Sequence, residues 1–348
     1  RLGGLDAANQ AALAATAFQH LRLQHAGAFN RAGKQRAARG CHAMSAQQRL
    51  AIMLRQSHAR LPMIAPFLAS FPRRVVVFNP TGRYATAQVA SMREAGTHLV
   101  GGIALGRGGE SLDGLALYDD VRQLPEAAGA AVIYTPPEGV LDAVRAAAGI
   151  PTIVVAAEYV PVHDTLRAAQ AARAAGSWLV GPNTLGLCVP EEGLLGSIAP
   201  SFCMPGRVAV MCRSGTLTLT MARLLTAAGI GQRAVMHIGG DTIAGRNPHE
   251  YLAALAADER TDAIFYCGEI GGDKEYALAE AVPSCPKPVV TMLVGRHAPA
   301  EKRMGHAGAL VGGARESAAA KLAALAAGGA RTARDPAEAI GILKELLR

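Results

Sequence analysis

Aromatic residues are scarce in this chain: phenylalanine, tryptophan and tyrosine make up 4% of its 348 residues. A core with few rings must be filled by small and branched aliphatic side chains, and half of the residues are hydrophobic, with alanine and glycine heavily used. That combination suits close packing of helices on a sheet, the α/β class. No uninterrupted apolar run has the length needed to cross a bilayer. The six cysteines, Cys41, Cys188, Cys203, Cys212, Cys267 and Cys285, include no CxxC pair. His42 adjoins Cys41, but no cluster has metal-ligand spacing, so no metal is expected in this chain. Scattered single thiols in a large α/β chain indicate a reducing compartment and inert, buried side chains.

Acid is nearly missing from the first 74 residues. They carry eleven lysines and arginines against one carboxylate, Asp6, for a net charge of +10. The remainder holds 24 basic and 26 acidic residues, net −2. The overall charge of +8 therefore belongs to an arm on a near-neutral body, and any case for nucleic-acid binding rests on the arm alone. Its alanine- and arginine-rich composition resembles a mitochondrial transit region and points to the mitochondrial matrix. The chain opens on Arg1 rather than Met, which is the expectation for a processed or trimmed form that keeps the arm. Two helices are expected there, from about Leu5 to His25 and from Ser45, where Gln48 three residues later completes a capping-box pattern. A flexible extension, a docking arm for a partner and an RNA contact are the readings of residues 1–73. The arm lacks the interleaved aromatics that stacking on bases favours.

From Arg74 the pattern changes. Val75–Phe78, Leu99–Ile103, Ala131–Tyr134, Thr152–Val155 and Trp178–Gly181 are continuous apolar runs separated by alanine-rich helical segments. Strands covered on both faces read this way, and the alternation predicts a parallel, doubly wound sheet. A segment with Pro190, Pro200 and Pro205 reads as a linker. A second series follows, with strands at Val208–Met211, Ala263–Tyr266 and Pro288–Met292, a helix from about Leu217 to Ala228, and a helix from about Pro336 to Leu347. The expected domains are 1–73, 74–204 and 205–348.

His306 lies between glycines in Arg303-Met304-Gly305-His306-Ala307-Gly308-Ala309. An imidazole on such a turn can be approached closely by a bulky anion. A carboxylate at the end of a strand, such as Glu269 in Gly268-Glu269-Ile270-Gly271-Gly272, can hold one ring nitrogen and leave the other nucleophilic. This pair suggests phosphohistidine chemistry. Arg213-Ser214-Gly215-Thr216 follows a strand and opens a helix, where free amides and the helix dipole attract an anion. Capping of the helix by Ser214 or Thr216 is compatible with that role.

These segments, with Thr81-Gly82, Gly106-Arg107-Gly108-Gly109, Gly181-Pro182-Asn183 and Gly239-Gly240-Asp241, occur in an order and spacing that resembles the α subunit of succinyl-CoA synthetase. The resemblance covers about residues 74–348. It implies a Rossmann-like CoA-binding domain followed by a flavodoxin-like ligase domain, here preceded by the basic, partly helical arm. It implies His306 as the phosphorylated histidine, Glu269 as the carboxylate that fixes its ring, and Ser214, Gly215 and Thr216 as the phosphate-binding helix end. Thr81, Gly82, Arg83, Tyr84, Arg107 and Glu158 fall at the positions that hold CoA. A β subunit with an ATP-grasp domain would supply the nucleotide and Mg²⁺ sites, since this chain has no Walker A loop. The implied reaction converts an acid, CoA and a nucleoside triphosphate into acyl-CoA, nucleoside diphosphate and phosphate.

The chain also departs from the family's usual residues. Tyr84 and Ala85 stand where glutamine and glycine are usual, and a Cβ at 85 would hold the backbone away from a pyrophosphate. Arg107 replaces a lysine, Leu219 a tyrosine, His237 a glycine, and Thr184-Leu185 a Cys-Pro pair. Two other readings follow from these changes. One is a non-catalytic member recruited into a large mitochondrial assembly through residues 1–73. The other is a CoA ligase for a different di- or tricarboxylate, such as malate or citrate.

Overall fold

The structure is a computed structural model, and it describes residues 65–72, 74–296 and 313–348. The expected arm helices, Cys41 and the His306 segment lie outside the described residues. Among the described residues the strands form two seven-stranded sheets.

The first sheet contains β1 (Arg74–Phe78), β2 (His98–Ile103), β3 (Ser111–Leu112), β4 (Leu115–Tyr118), β5 (Ala130–Ile133), β6 (Thr152–Val155) and β7 (Trp178–Val180) in the order β3-β4-β2-β1-β5-β6-β7. All pairings are parallel except the β3–β4 hairpin. Helices α1 (Arg83–Glu94), α2 (Val140–Ala146) and α3 (Val162–Ala174) cross between strands. Residues 75–78 and all of β5 and β6 are buried, which is why the sequence shows unbroken apolar runs there and no alternation.

The second sheet runs β14-β13-β12-β10-β11-β8-β9. Its parallel part is β10 (Pro205–Cys212), β11 (Gln232–His237), β12 (Ala263–Glu269), β13 (Val289–Val294) and β14 (Arg331–Ala333). Helices α4 (Gly215–Ala227), α5 (Pro248–Ala256), α6 (Lys274–Ala281), α7 (Ala318–Ala327) and α8 (Pro336–Leu346) accompany it. The expected proline-rich linker instead carries an antiparallel hairpin, β8 (Gly186–Val189) and β9 (Gly193–Gly196), and β8 pairs with β11. Its strands are short and fully buried, so nothing in their sequence alternates.

The strand order β11-β10-β12-β13-β14 places a topological switch between β10 and β12, as β2-β1-β5 does in the first sheet. Such points leave a crevice beyond the carboxyl ends of the strands, where open α/β sheets take ligands. The two sheets share one core cluster. Trp178 sits in it, edge-on to Phe67 at 6.1 Å and to Tyr251 at 5.3 Å, with the Arg246 guanidinium 4.8 Å from its ring centre. Buried Arg233 of β11 pairs with Asp258 at 2.9 Å and donates to the Leu68 carbonyl at 2.8 Å, holding the helical turn Pro66–Ala69 against the second sheet.

Candidate active site

At the second switch point, β10 ends at Cys212 and α4 begins at Gly215, with Ser214 as N-cap. The Ser214 hydroxyl accepts from the Leu217 amide at 3.4 Å. The Gly215 and Thr216 amides, at the first and second helical positions, have no intrahelical acceptor, which makes this helix end receptive to an anion.

Arg213, one residue before the cap, is buried and forms an ion pair with Glu269 at 2.9 Å. Its other nitrogen lies 3.7 Å from Glu275. Glu275 also pairs with buried Lys321 at 2.6 Å and accepts from the Tyr266 hydroxyl at 2.8 Å. Burial raises the Glu275 carboxyl, but Arg213 and Lys321 outweigh it and hold the group below its ordinary range. Lys321 also donates to the Glu269 carbonyl at 3.0 Å. Two cations and two carboxylates thus fix the end of β12, and Glu269 with it. Removing one member of such a buried set strands its partner, at a cost of about 3–5 kcal/mol.

Lys274 opens α6 beside this network. It donates to the Asp241 carbonyl at 3.0 Å, and Arg213 donates to the same oxygen at 3.3 Å. The Asp241 side chain accepts from Asn183 at 3.0 Å, joining the loops after β7 and β11. Asp241 therefore ties a junction together.

His237 occupies the end of β11. Its Nδ1 accepts from the Leu185 amide at 2.9 Å, so its Nε2, 3.0 Å from the Arg213 carbonyl, is the donor. The Thr184 hydroxyl donates to the His237 carbonyl. The imidazole thus clips the Thr184–Leu185 segment to the residue that precedes the α4 cap, a job a glycine at 237 could not perform.

At the first switch point, Thr81 and Gly82 form the turn after β1. Gly82 is the N-cap of α1 and brings no side-chain cap, so the first amides of that helix are also open. Arg83 and Tyr84 are exposed, while Ala85 is buried. The Ala85 methyl is absorbed by the core. The Gly106–Gly109 loop is held by Asp119, whose carboxylate accepts from the Gly106 amide at 2.6 Å and the Gly108 amide at 3.2 Å. A Cβ at Gly108 would come within 2.4 Å of that carboxylate, so a side chain there would have to displace it. Arg107 is engaged with Glu110 at 2.6 Å, and this pair raises the Arg107 pKa and lowers that of Glu110. Both members are solvent-exposed, so the pair is weak and an incoming phosphate can compete for the guanidinium.

One cavity of about 620 Å³ joins the two crevices. Tyr84 and Glu158 line it from the first sheet, and Gly215 and Thr216 line it from α4. His237, Leu219 and Arg223 complete that second wall. Of the expected site residues, Thr81, Gly82, Arg83, Arg107, Ser214 and Glu269 do not line it. Glu269 is buried behind it, paired with Arg213, which does not line the cavity either. A CoA-sized ligand fits this arrangement in two respects: the uncapped start of α1 is open to a phosphate, and the cavity leads from Tyr84 on that helix to the α4 amides. The amides of the Gly106–Gly109 loop are all taken within the chain, which leaves the Arg107 guanidinium as what that loop can offer.

The sequence reading missed Glu275, Lys321, Lys274 and Arg223 as members or neighbours of the site. A lone lysine in the alanine-rich run Ala318-Ala319-Ala320-Lys321-Leu322 was the available signal, because a buried ammonium must be paired.

Comparison with known families agrees with this geometry. The CoA binding domain family profile matches residues 74–159 and the CoA-ligase profile matches residues 211–331. The chain is 40% identical over 278 residues to succinate–CoA ligase [ADP-forming] subunit alpha 2 of Archaeoglobus fulgidus, covering 79% of this chain and 97% of that one. It is 36% identical over 283 residues to the ADP-forming sulfoacetate–CoA ligase subunit SauD of Bilophila wadsworthia, with 79% and 97% covered. Among solved structures, ATP citrate lyase from Methanothrix soehngenii, in complex with citrate and coenzyme A, aligns with a TM-score of 0.69 at 22% identity. That alignment covers 79% of this chain and 49% of the lyase chain, and it speaks for the fold.

Proposed function

Since the chain belongs to the family of succinate–CoA ligase α subunits, we propose that it is the α-type subunit of an acid–CoA ligase that forms a nucleoside diphosphate and works through a phosphorylated histidine. The observation that carries this reading is the shared cavity, in which the CoA-side residues Tyr84 and Glu158 face the same space as the anion-receptive start of α4.

In this mechanism one ring nitrogen of His306 takes the phosphoryl group and later gives it to the carboxylate of the acid. The leaving group is then phosphate, released when a thiol takes the acyl group. Glu269, held by Arg213, keeps the other ring nitrogen protonated and directed. The Gly215 and Thr216 amides and the α4 dipole stabilise the phosphoryl oxygens as charge builds on them. Gly82 and the amides behind it, with Arg83 and Arg107, would hold CoA phosphates. CoA supplies the accepting thiol. A β partner would bring the nucleotide and its Mg²⁺.

The test is phosphoenzyme formation. Incubated with its β partner and ATP labelled at the γ-phosphate, the chain should acquire an acid-labile, base-stable label, and His306→Ala should abolish it. If no label appears on a complex demonstrated to contain both subunits, the catalytic reading fails.

A further inference from the structure

Two thiols meet outside the shared cavity. Cys188 of β8 and Cys203, in the turn that leads to β10, both line another cavity of about 170 Å³. Cys188 is buried and Cys203 half-buried, so Cys203 departs from the inert, buried thiols expected of this chain. The Cys203 thiol donates to the Ala199 carbonyl at 3.8 Å. It also accepts from the Cys188 thiol, and this bond pushes Cys188 up and brings Cys203 below its ordinary value. The pair therefore divides its roles. Cys203 is the thiol that ionises more readily and that solvent reaches, and Cys188 stands behind it as a protonated partner.

The cavity wall selects the oxidant. Glu94 and Glu191, both exposed, line it, and among the described residues no lysine or arginine does. An anionic disulfide such as oxidised glutathione is repelled there, whereas a small neutral hydroperoxide is not. The Cys203 thiolate attacks one peroxide oxygen and the O–O bond breaks. Cys203 becomes a sulfenic acid, and the departing hydroxide takes up the proton that the Cys203 thiol released. The Cys188 sulfur then attacks the Cys203 sulfur, the S–O bond breaks, and the Cys188 proton leaves with that oxygen as water. Two thiols are oxidised to one disulfide, and one hydrogen peroxide is reduced to two waters.

The bond reaches the shared cavity. β8 is paired on both sides, with Cys188 opposite Leu194 of β9 and Val235 of β11. Drawing the sulfurs inside the contact distance of unbonded thiols therefore moves the Cys203 turn rather than the strand. Its neighbour Phe202 lines the shared cavity, with the Arg223 guanidinium 5.9 Å from its ring centre. The Phe202 carbonyl accepts from the Thr226 hydroxyl of α4 at 2.8 Å, so a shift there is also felt by that helix. We propose that Cys203 and Cys188 form a hydroperoxide-sensitive disulfide site whose closure displaces Phe202 in the wall of the shared cavity. The bond is independent of the ligase reading above, and its effect on CoA rests on that reading.

Peptide mapping tests the bond. Glu191 and Glu192 lie between the two cysteines, so cleavage after glutamate gives a Cys188 peptide and a Cys203 peptide that stay joined only through sulfur. The reduced full chain, treated with hydrogen peroxide, should yield this joined pair, two hydrogen masses lighter than its parts, and dithiothreitol should separate it. Cys203→Ser and Cys188→Ala should each abolish it, and Cys285→Ser should keep it. By calorimetry, the oxidised chain with its β partner should bind CoA about twofold to fivefold more weakly than the reduced one, the loss of one aromatic–cation contact. Cys203→Ser should bind CoA equally before and after peroxide. The proposal is overturned if peroxide takes Cys203 to a sulfinic acid with no joined peptides, or if oxidised glutathione forms the bond as fast as peroxide. It is also overturned if the bond forms and CoA binding does not change. A reduced complex that binds no CoA would sink the ligase reading, and the peptide map would still decide the thiol pair.

Discussion

Lys274 carries an electrostatic cost that can be read as pH dependence. Burial, and then the positive Arg213 beside it, push its ammonium down to about 7 from 10.5. The unfolded chain therefore binds this proton more tightly, and stability rises as pH climbs from about 7 towards 10.5. The full cost is present below about pH 7. Lys274→Met should stabilise the chain by up to roughly 5 kcal/mol at pH 6, and urea melts should show the advantage closing by pH 10. A gap of constant size across that range would mean that the lysine acts through packing. At this scale the sequence was legible at Ser214, where a cap on a helix that follows a strand was expected and is seen. It was opaque where a side chain is defined by partners distant in the chain, as Glu275 is by Arg213 and Lys321.

The helix and strand elements show where pattern reading succeeds. Thr152–Val155 was read as a strand with the limits it has, because parallel strands buried on both faces leave an apolar run between helices. β11 was not read at all. Gln232, Arg233 and His237 are buried in it, each satisfied by particular partners, and they disguise the run Ala234-Val235-Met236. The β3–β4 hairpin had a usable signal: Asp113-Gly114, with φ of 46° and 76°, is the two-residue turn that such hairpins favour. The β8–β9 hairpin depends on a closer fit. Gly186 faces Gly196, has φ of 82°, and a Cβ there would fall 1.8 Å from the Leu195 carbonyl oxygen. Gly186→Ala should therefore destabilise the chain by more than about 1 kcal/mol, read as a lower midpoint in denaturant. At the start of α4, Ser214→Ala should cost about 1 kcal/mol by removing the cap.

At the scale of the whole molecule the two sheets are joined by charge as well as by the common core. Arg173 of α3 reaches across to Glu250 of α5 at 2.9 Å and to the Gly245 carbonyl at 3.0 Å. Glu250 also takes Arg246 at 2.9 Å and caps its own helix through the Asn247 amide at 2.8 Å. Burial raises the Glu250 carboxyl, and Arg173 with these other donors brings it below its usual range. Glu250→Ala should destabilise the chain by about 3 kcal/mol, and because both sheets lean on this carboxylate, probes in either should report one coincident unfolding transition. The general plan was legible: two α/β units, the second with a helix opening at Ser214-Gly215 after a strand. What joins them was not, since neither Arg173 nor Glu250 belongs to a motif.

The carboxylate of Asp119, threaded under the Gly106 and Gly108 amides, has a kinetic meaning. A segment already curled around an internal anion has little ordering left to do, so the Arg107 guanidinium is displayed on a turn set beforehand. How fast that guanidinium can change partner is then a matter of breaking one exposed pair, the one with Glu110.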